Sequence, residues 1–118
     1  MQVIVADNNP ESRQALVHLL EMQPGINVLG EADEANRLLS LVREQTVDVV
    51  IIDYSLPGIP LIELIHAARS MRQSIRFVVM SDGVVNARLA LNAGADTFVS
   101  RNETPDRLLE TLQRCEMK

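Results

Sequence analysis

Polar side chains that could do chemistry follow four separate apolar runs of the sequence. They are Asp7-Asn8-Asn9, Asp53, Ser81-Asp82 and Ser100-Arg101. If those runs are strands of one parallel sheet, their ends meet at one edge, and the acids, hydroxyl and guanidinium would line a single binding or reaction site. Asp53 is the strongest candidate because it ends the most apolar run, VDVVIID, where a carboxylate without a partner is costly.

Each of these residues also has a purely structural interpretation. An Asp or Ser at the end of a strand often caps a loop or the next helix. A functional role is favoured for Asp7 because Asn9 already supplies the cap of the helix that Pro10 begins. Ser81 and Arg101, taken alone, fit either interpretation.

The elements that must position these side chains alternate regularly along the chain. Apolar, β-branched runs bounded by Gly, Pro, Asp or Asn predict strands at 2–7, 26–32, 47–53, 75–81 and 95–100. Apolar residues at helical spacing lie between them, for example at 10–23 and 104–116. Gly94 marks a helix end, and Thr104 before Pro105 marks a helix start. Five such units predict a parallel sheet with helices on both faces.

The length and charge of the chain limit the classes of protein to which it can belong. The 118 residues fit one domain, expected to span 1–118. The net charge of −5 argues against nucleic-acid or membrane binding and favours a basic partner or a bound cation. Cys115 is the single cysteine, and the sequence lacks the patterns of a signal peptide or a membrane span. We therefore expect a cytoplasmic location.

The runs VIVADNNP, VLGEA, DVVIIDYSLPG, VVMS and LNAGADTFVSR together resemble a response-regulator receiver domain. They are most similar to the CheY-like receivers that precede a NarL/LuxR-type helix-turn-helix output domain. The likeness covers all 118 positions, with 23 residues from Asp7 to Gly30 and 23 from Gly30 to Asp53. It implies a flavodoxin-like (βα)5 fold with five parallel strands in the order 2-1-3-4-5 and helices on both faces. An output domain would lie beyond this chain.

The resemblance also implies a role for each matching residue. Asp53 matches the phosphoacceptor, whose carboxylate becomes an aspartyl phosphate. Ser81 matches the hydroxyl that turns toward the phosphoryl group, and Phe98 matches the switch aromatic. Arg101 stands where the family has a lysine that pairs with the phosphate.

The implied Mg²⁺ site is altered at one ligand. Its ligands would be Asp7, Asn8, Asp53 and the backbone carbonyl of Ser55. Asn8 stands where the family has a second acid, so we expect a weaker but not abolished Mg²⁺ site.

Three further departures surround the same crevice. Arg101 is planar and clamps carboxylates in pairs, so it either binds a phosphate or lies across Asp53 in the place of the metal. Asp82 replaces a small residue, and it would repel a phosphoryl dianion, supply the lost metal ligand, or cap the next helix. The chain from Ser81 to Gly94 is also two residues shorter than the family pattern.

These residues lead to the hypothesis of an atypical receiver, a non-enzymatic signalling domain whose phosphorylation is weak or conditional. A sensor histidine kinase or another phosphodonor would modify Asp53 and switch the surface of helix 4, strand 5 and helix 5. The domain would regulate transcription through an output domain and could form a homodimer. The alternative is a pseudo-receiver, an interaction or dimerisation module that never turns over phosphate. A flavodoxin-like cofactor binder or enzyme is disfavoured because DNNPESR has no glycine to cradle a phosphate.

Overall fold

Strands and helices alternate along the chain in the predicted order. The computed structural model describes residues 1–82, 85–103 and 105–117, and only the backbone of 85, 86, 116 and 117. The strands are β1 (Gln2–Ala6), β2 (Asn27–Ala32), β3 (Val49–Asp53), β4 (Arg76–Ser81) and β5 (Thr97–Ser100). The helices are α1 (Pro10–Glu21), α2 (Ala35–Glu44), α3 (Leu61–Met71), α4 (Val85–Asn92) and α5 (Pro105–Met117). Thr104, the expected cap of α5, and part of the shortened loop after β4 lie outside the described residues.

The strands form one parallel sheet in the order β2-β1-β3-β4-β5, which confirms the order that the resemblance implied. The register brings the strand ends level with one another. Ala6 pairs with Ile52 across β1 and β3, and Ser81 pairs with Ser100 across β4 and β5. The residues that follow these strands therefore share one edge of the sheet, as expected for parallel strands with right-handed crossovers.

Both faces of the sheet are covered, because side chains of the central strands alternate between two apolar clusters. One cluster joins the sheet to α2, α3 and α4, and the other joins it to α1 and α5. The buried strand residues in the first are Ile4, Ala6, Ala32, Val50, Ile52, Phe77 and Val79. Those in the second are Val3, Val5, Val49, Ile51, Val78 and Val99. Burial of a large apolar side chain stabilises the fold by about 1.5–3 kcal/mol relative to leaving it exposed. The packed sheet therefore fixes the positions of the strand ends. No helix in the described ranges is long and apolar enough to cross a bilayer.

Helix α1 begins as predicted and ends earlier than predicted. The Asn9 side chain accepts hydrogen bonds from the backbone N–H of Glu11 (2.9 Å) and Ser12 (3.1 Å). The helix predicted at 10–23 ends at Glu21, and Met22 is 64% exposed. Pro24 disfavours helical geometry at the residue before it, so the chain turns there toward β2.

Arg69 of α3 forms several contacts at the amino ends of β4 and β5, on the edge of the sheet opposite to the carboxyl ends. Its guanidinium donates hydrogen bonds to the carbonyls of Gly94 (2.6 Å) and Ile75 (3.3 Å). It also forms an ion pair with Asp96 (2.7 Å) and lies 5.4 Å from the centre of the Phe77 ring. Gly94 has the left-handed backbone (φ 109°) predicted for a helix stop. One side chain therefore fixes α3 against β4 and the start of β5.

We expect Arg69→Ala to lower the free energy of unfolding by about 2 kcal/mol, because it removes several charge-assisted hydrogen bonds at once. The same substitution at Arg43, an exposed residue of α2, should change it by less than about 0.5 kcal/mol. Urea denaturation followed by circular dichroism measures both values. Equal losses in the two variants would contradict this role of Arg69.

Candidate functional site

The polar residues predicted to converge, except Ser100, surround one cavity at the carboxyl edge of the sheet. Ser100 lines the neighbouring groove between α1 and α5 instead. The cavity has a volume of about 560 Å³. Its lining comprises Asp7, Asn8, Asn9, Ser12, Asp53, Ser55, Ser81, Asp82 and Arg101. These residues come from the ends of β1, β3, β4 and β5 and from the first turn of α1, so the fold brings together segments that are distant in the sequence.

Asp7 is the buried carboxylate of this cavity, with 4% of the residue exposed. Its backbone N–H donates to the carbonyl of Ala32 (2.9 Å), which continues the pairing of β1 with β2. One carboxylate oxygen, Oδ1, accepts a hydrogen bond from the backbone N–H of Asn9 (2.9 Å). The other, Oδ2, accepts one from Arg101 Nη2 (2.7 Å). Each oxygen of Asp7 therefore accepts one hydrogen bond.

Asp53 is the more accessible carboxylate, with 16% of its side chain exposed against 5% for Asp7. Its Oδ1 accepts hydrogen bonds from Arg101 Nη2 (2.8 Å) and Nε (3.1 Å). Its Oδ2 accepts one from the backbone N–H of Ser55 (3.0 Å). Asp53 thus ends β3 in a position where its carboxylate is held but still reaches the cavity.

Arg101 bridges the two carboxylates through a single nitrogen, Nη2. Its backbone N–H donates to the carbonyl of Ser81 (3.0 Å), so the pairing of β4 with β5 places it. Partial burial alone would lower the pKa of the guanidinium, but the hydrogen bonds and charges of Asp53 and Asp7 outweigh this effect and raise the pKa. Of the two orientations that the sequence left open, the structure has the one across Asp53.

The remaining predicted residues differ in how close they come to this bridge. Asn8 is exposed, and its amide nitrogen donates to the carbonyl of Asp33 (3.3 Å). Ser81 is buried, with 6% exposure, and lines the cavity together with the exposed Asp82. Phe98 does not line the cavity, because it is half-buried against the apolar cluster that joins the sheet to α2, α3 and α4.

Two residues at the site were missed by sequence reasoning. Ser12 lines the cavity from the first turn of α1, and Arg13 donates from Nη1 to the backbone carbonyl of Asp7 (2.8 Å). Arg13 also forms an ion pair with Glu31 (3.0 Å). The signal that could have found them is the start of α1 at Pro10, since the first turn of that helix must lie beside the end of β1.

Comparison with known proteins decides the family. The response regulator receiver domain matches residues 3–113. The chain belongs to this family. The family consists of non-enzymatic signalling domains of two-component systems, which histidine kinases phosphorylate and which generally bind Mg²⁺.

Its relatives are NarL-type response regulators. The probable transcriptional regulatory protein NarL of Mycobacterium tuberculosis is 29% identical over 117 residues, which are 98% of this chain and 54% of that protein. The nitrate/nitrite response regulator NarP of Escherichia coli is 27% identical over 114 residues, 95% of this chain and 53% of that protein. The receiver domain of the putative M. tuberculosis NarL has a solved structure with a TM-score of 0.86, 28% identity, and coverage of 97% of this chain and 94% of that one. The chain spans about half the length of the curated relatives it matches.

The residues of this receiver do not fit the Mg²⁺ that the family generally binds. Mg²⁺ is held by oxygen ligands at about 2.0–2.1 Å, but Nη2 of Arg101 lies 2.7 Å from Oδ2 of Asp7 and 2.8 Å from Oδ1 of Asp53. A second cation between the two acids would be repelled by this guanidinium. Within the described ranges, His, Cys, Asp and Glu form no group of three or more that could hold a metal ion. The Mg²⁺ site expected at Asp7, Asn8, Asp53 and the Ser55 carbonyl therefore stays a prediction. The position of Arg101 argues against it.

The bridge predicts strong energetic coupling between Asp7 and Arg101. In a double-mutant cycle with Asp7→Asn and Arg101→Met, we expect a coupling energy of about 2 kcal/mol, because the pair is largely removed from water. The more exposed Arg13–Glu31 pair, tested with Arg13→Met and Glu31→Gln, should give less than about 1 kcal/mol. Urea denaturation at neutral pH measures both cycles. A coupling for Asp7–Arg101 no larger than that of the control pair would contradict a structural role for the bridge.

Proposed function

We propose that this receiver domain accepts a phosphoryl group on Asp53 and that the modification is slow or conditional. A carboxylate oxygen of Asp53 attacks the phosphorus of the donor, and the bond from phosphorus to the leaving group breaks with its electron pair going to that group. The donor would be a sensor histidine kinase or a small phosphodonor. The observation that supports Asp53 over Asp7 is its accessibility, since its side chain is 16% exposed at the cavity and that of Asp7 only 5%.

The slow rate follows from the contacts of Asp53. Arg101 donates two hydrogen bonds to Oδ1 of Asp53, and these stabilise the carboxylate before any donor arrives. Phosphorylation would have to weaken them. Once the phosphoryl group is attached, the guanidinium of Arg101 and the hydroxyl of Ser81 are the groups we propose to contact its oxygens.

The proposed output is a change of the α4–β5–α5 surface that an output domain or partner reads. Arg101 directly follows β5, and α4 carries the exposed apolar side chains Leu89 and Leu91. The printed names of the relatives suggest regulation of transcription, which would be carried out by an output domain beyond this chain. With a net charge of −5, this domain is not proposed to contact nucleic acid itself. We also propose that the domain forms a homodimer.

The second candidate function is that of a pseudo-receiver, a phosphorylation-independent interaction module. The observation that favours it is the same bridge, because a carboxylate that is bound by a guanidinium is a poor nucleophile. The two functions differ in one measurable respect, the covalent modification of Asp53.

Incubation with acetyl phosphate or phosphoramidate and Mg²⁺, followed by intact-mass analysis, distinguishes the two candidates. We expect a fractional gain of one phosphoryl group that is absent in Asp53→Asn. The control is Asp106→Asn, which removes an exposed acid from the first turn of α5 and should keep the gain. No gain in the native protein at any donor concentration would favour the pseudo-receiver. A mass gain that persists in Asp53→Asn would show that another residue accepts the phosphoryl group.

The charge of Asp82 gives a second prediction. Asp82 is exposed and lines the cavity, so its carboxylate repels an anionic phosphodonor. Asp82→Asn should raise the initial rate of phosphorylation by about threefold, and the gain should shrink as salt is added. Asp106→Asn makes the same change in net charge away from the cavity and serves as the control. A rate that falls in Asp82→Asn would mean that Asp82 assists the reaction instead.

A further inference from the structure

We infer that the guanidinium of Arg101 is a tethered cation that occupies the place between Asp7 and Asp53 where receiver domains generally hold Mg²⁺. The pocket of this chain would then be neutralised by its own side chain and would bind divalent metal only when Arg101 is removed. This inference rests on the family assignment and the contacts of Arg101. It does not depend on the proposed phosphorylation of Asp53.

The guanidinium of Arg101 already lies between the two carboxylates that would hold a metal ion. The backbone N–H groups of Asn9 and Ser55 hold one oxygen each of Asp7 and Asp53 (2.9 and 3.0 Å). Arg101 holds the two oxygens that remain, both through Nη2 (2.7 and 2.8 Å). These last two oxygens are the ones that a metal bridging the carboxylates would need, so a metal ion and the guanidinium compete for the same atoms.

The charge of Arg101 also opposes a metal ion at this place. A metal bound to Oδ1 of Asp53 would lie within a few ångströms of Nη2 of Arg101, which is 2.8 Å from the same oxygen. Two cations at that separation repel strongly in a partly buried pocket. Asn8 adds no negative charge to offset the repulsion, and its amide nitrogen is engaged with the carbonyl of Asp33. The two carboxylates are thus more favourably neutralised by the guanidinium alone than by the guanidinium together with a metal ion.

The chain itself holds Arg101 in place. Its backbone is fixed by the hydrogen bond to the carbonyl of Ser81 (3.0 Å), and its side chain is only 23% exposed. A tethered cation loses no translational freedom when it binds, whereas a metal ion must be captured from solution and partly dehydrated. Because an arginine side chain keeps its proton in proteins, the guanidinium places a permanent positive charge between the two carboxylates.

The test compares metal binding by the native protein and by Arg101→Ala. Thermal unfolding is measured with and without millimolar Mg²⁺, with the ionic strength matched by KCl, and direct binding is measured by electron paramagnetic resonance of Mn²⁺. The native protein should show no Mg²⁺-specific change in Tm. Arg101→Ala should gain about 5 °C when Mg²⁺ is about tenfold above its Kd, and it should bind Mn²⁺ at least about tenfold more tightly than the native protein.

Arg107→Ala is the matched control, because Arg107 pairs with Glu103 at 3.2 Å on the exposed side of α5. Its metal response should equal that of the native protein. Mn²⁺ binding by the native protein as tight as that of Arg101→Ala would overturn the inference, and so would a failure of Arg101→Ala to bind either metal. If Arg101→Ala does not fold without metal, Arg101→Gln, which keeps hydrogen-bond donors but not the charge, takes its place with the same expected and contrary results.

Discussion

The rest of this site depends on one guanidinium, that of Arg101. The carboxylates of Asp7 and Asp53 follow adjacent strands and face the same cavity, and a buried or half-buried acid is stable only beside a cation or several hydrogen-bond donors. Arg101 meets that requirement for both acids through one nitrogen, at 2.7 and 2.8 Å. The parallel register of the sheet makes this contact possible, because it brings the ends of β1, β3 and β5 to one edge.

The bridge also decides how the site can respond to a ligand. A group attached to Oδ1 of Asp53 would take the place of the hydrogen bonds from Arg101, so the guanidinium would have to move or to change partners. Arg101 and Ser12 line a second cavity of about 350 Å³, a mainly apolar groove between α1 and α5. A movement of Arg101 therefore alters the polar cavity and this groove together.

The fold was predictable from the sequence because its central strands are buried on both faces and its strands are bounded by Gly, Pro, Asp and Asn. Each observed strand lies inside its predicted run, although α1 ends before Pro24. The identity of the site residues was also readable, since Asp7, Asp53, Ser81 and Arg101 all end or follow strands. The orientation of Arg101 was not readable, because an arginine suits a phosphate and a pair of carboxylates equally well. Ser12 and Arg13 were missed because attention went to the strand ends, although the helix start at Pro10 placed the first turn of α1 beside the end of β1.

The measurement that tests the bridge most directly is a crystal structure of the native protein grown in MnCl2, with an anomalous difference map at the carboxyl edge of the sheet. We expect the guanidinium of Arg101 between the carboxylates of Asp7 and Asp53, and no manganese peak beside either acid. A manganese peak on Asp53, with Arg101 turned away from both carboxylates, would contradict the central role given to this side chain.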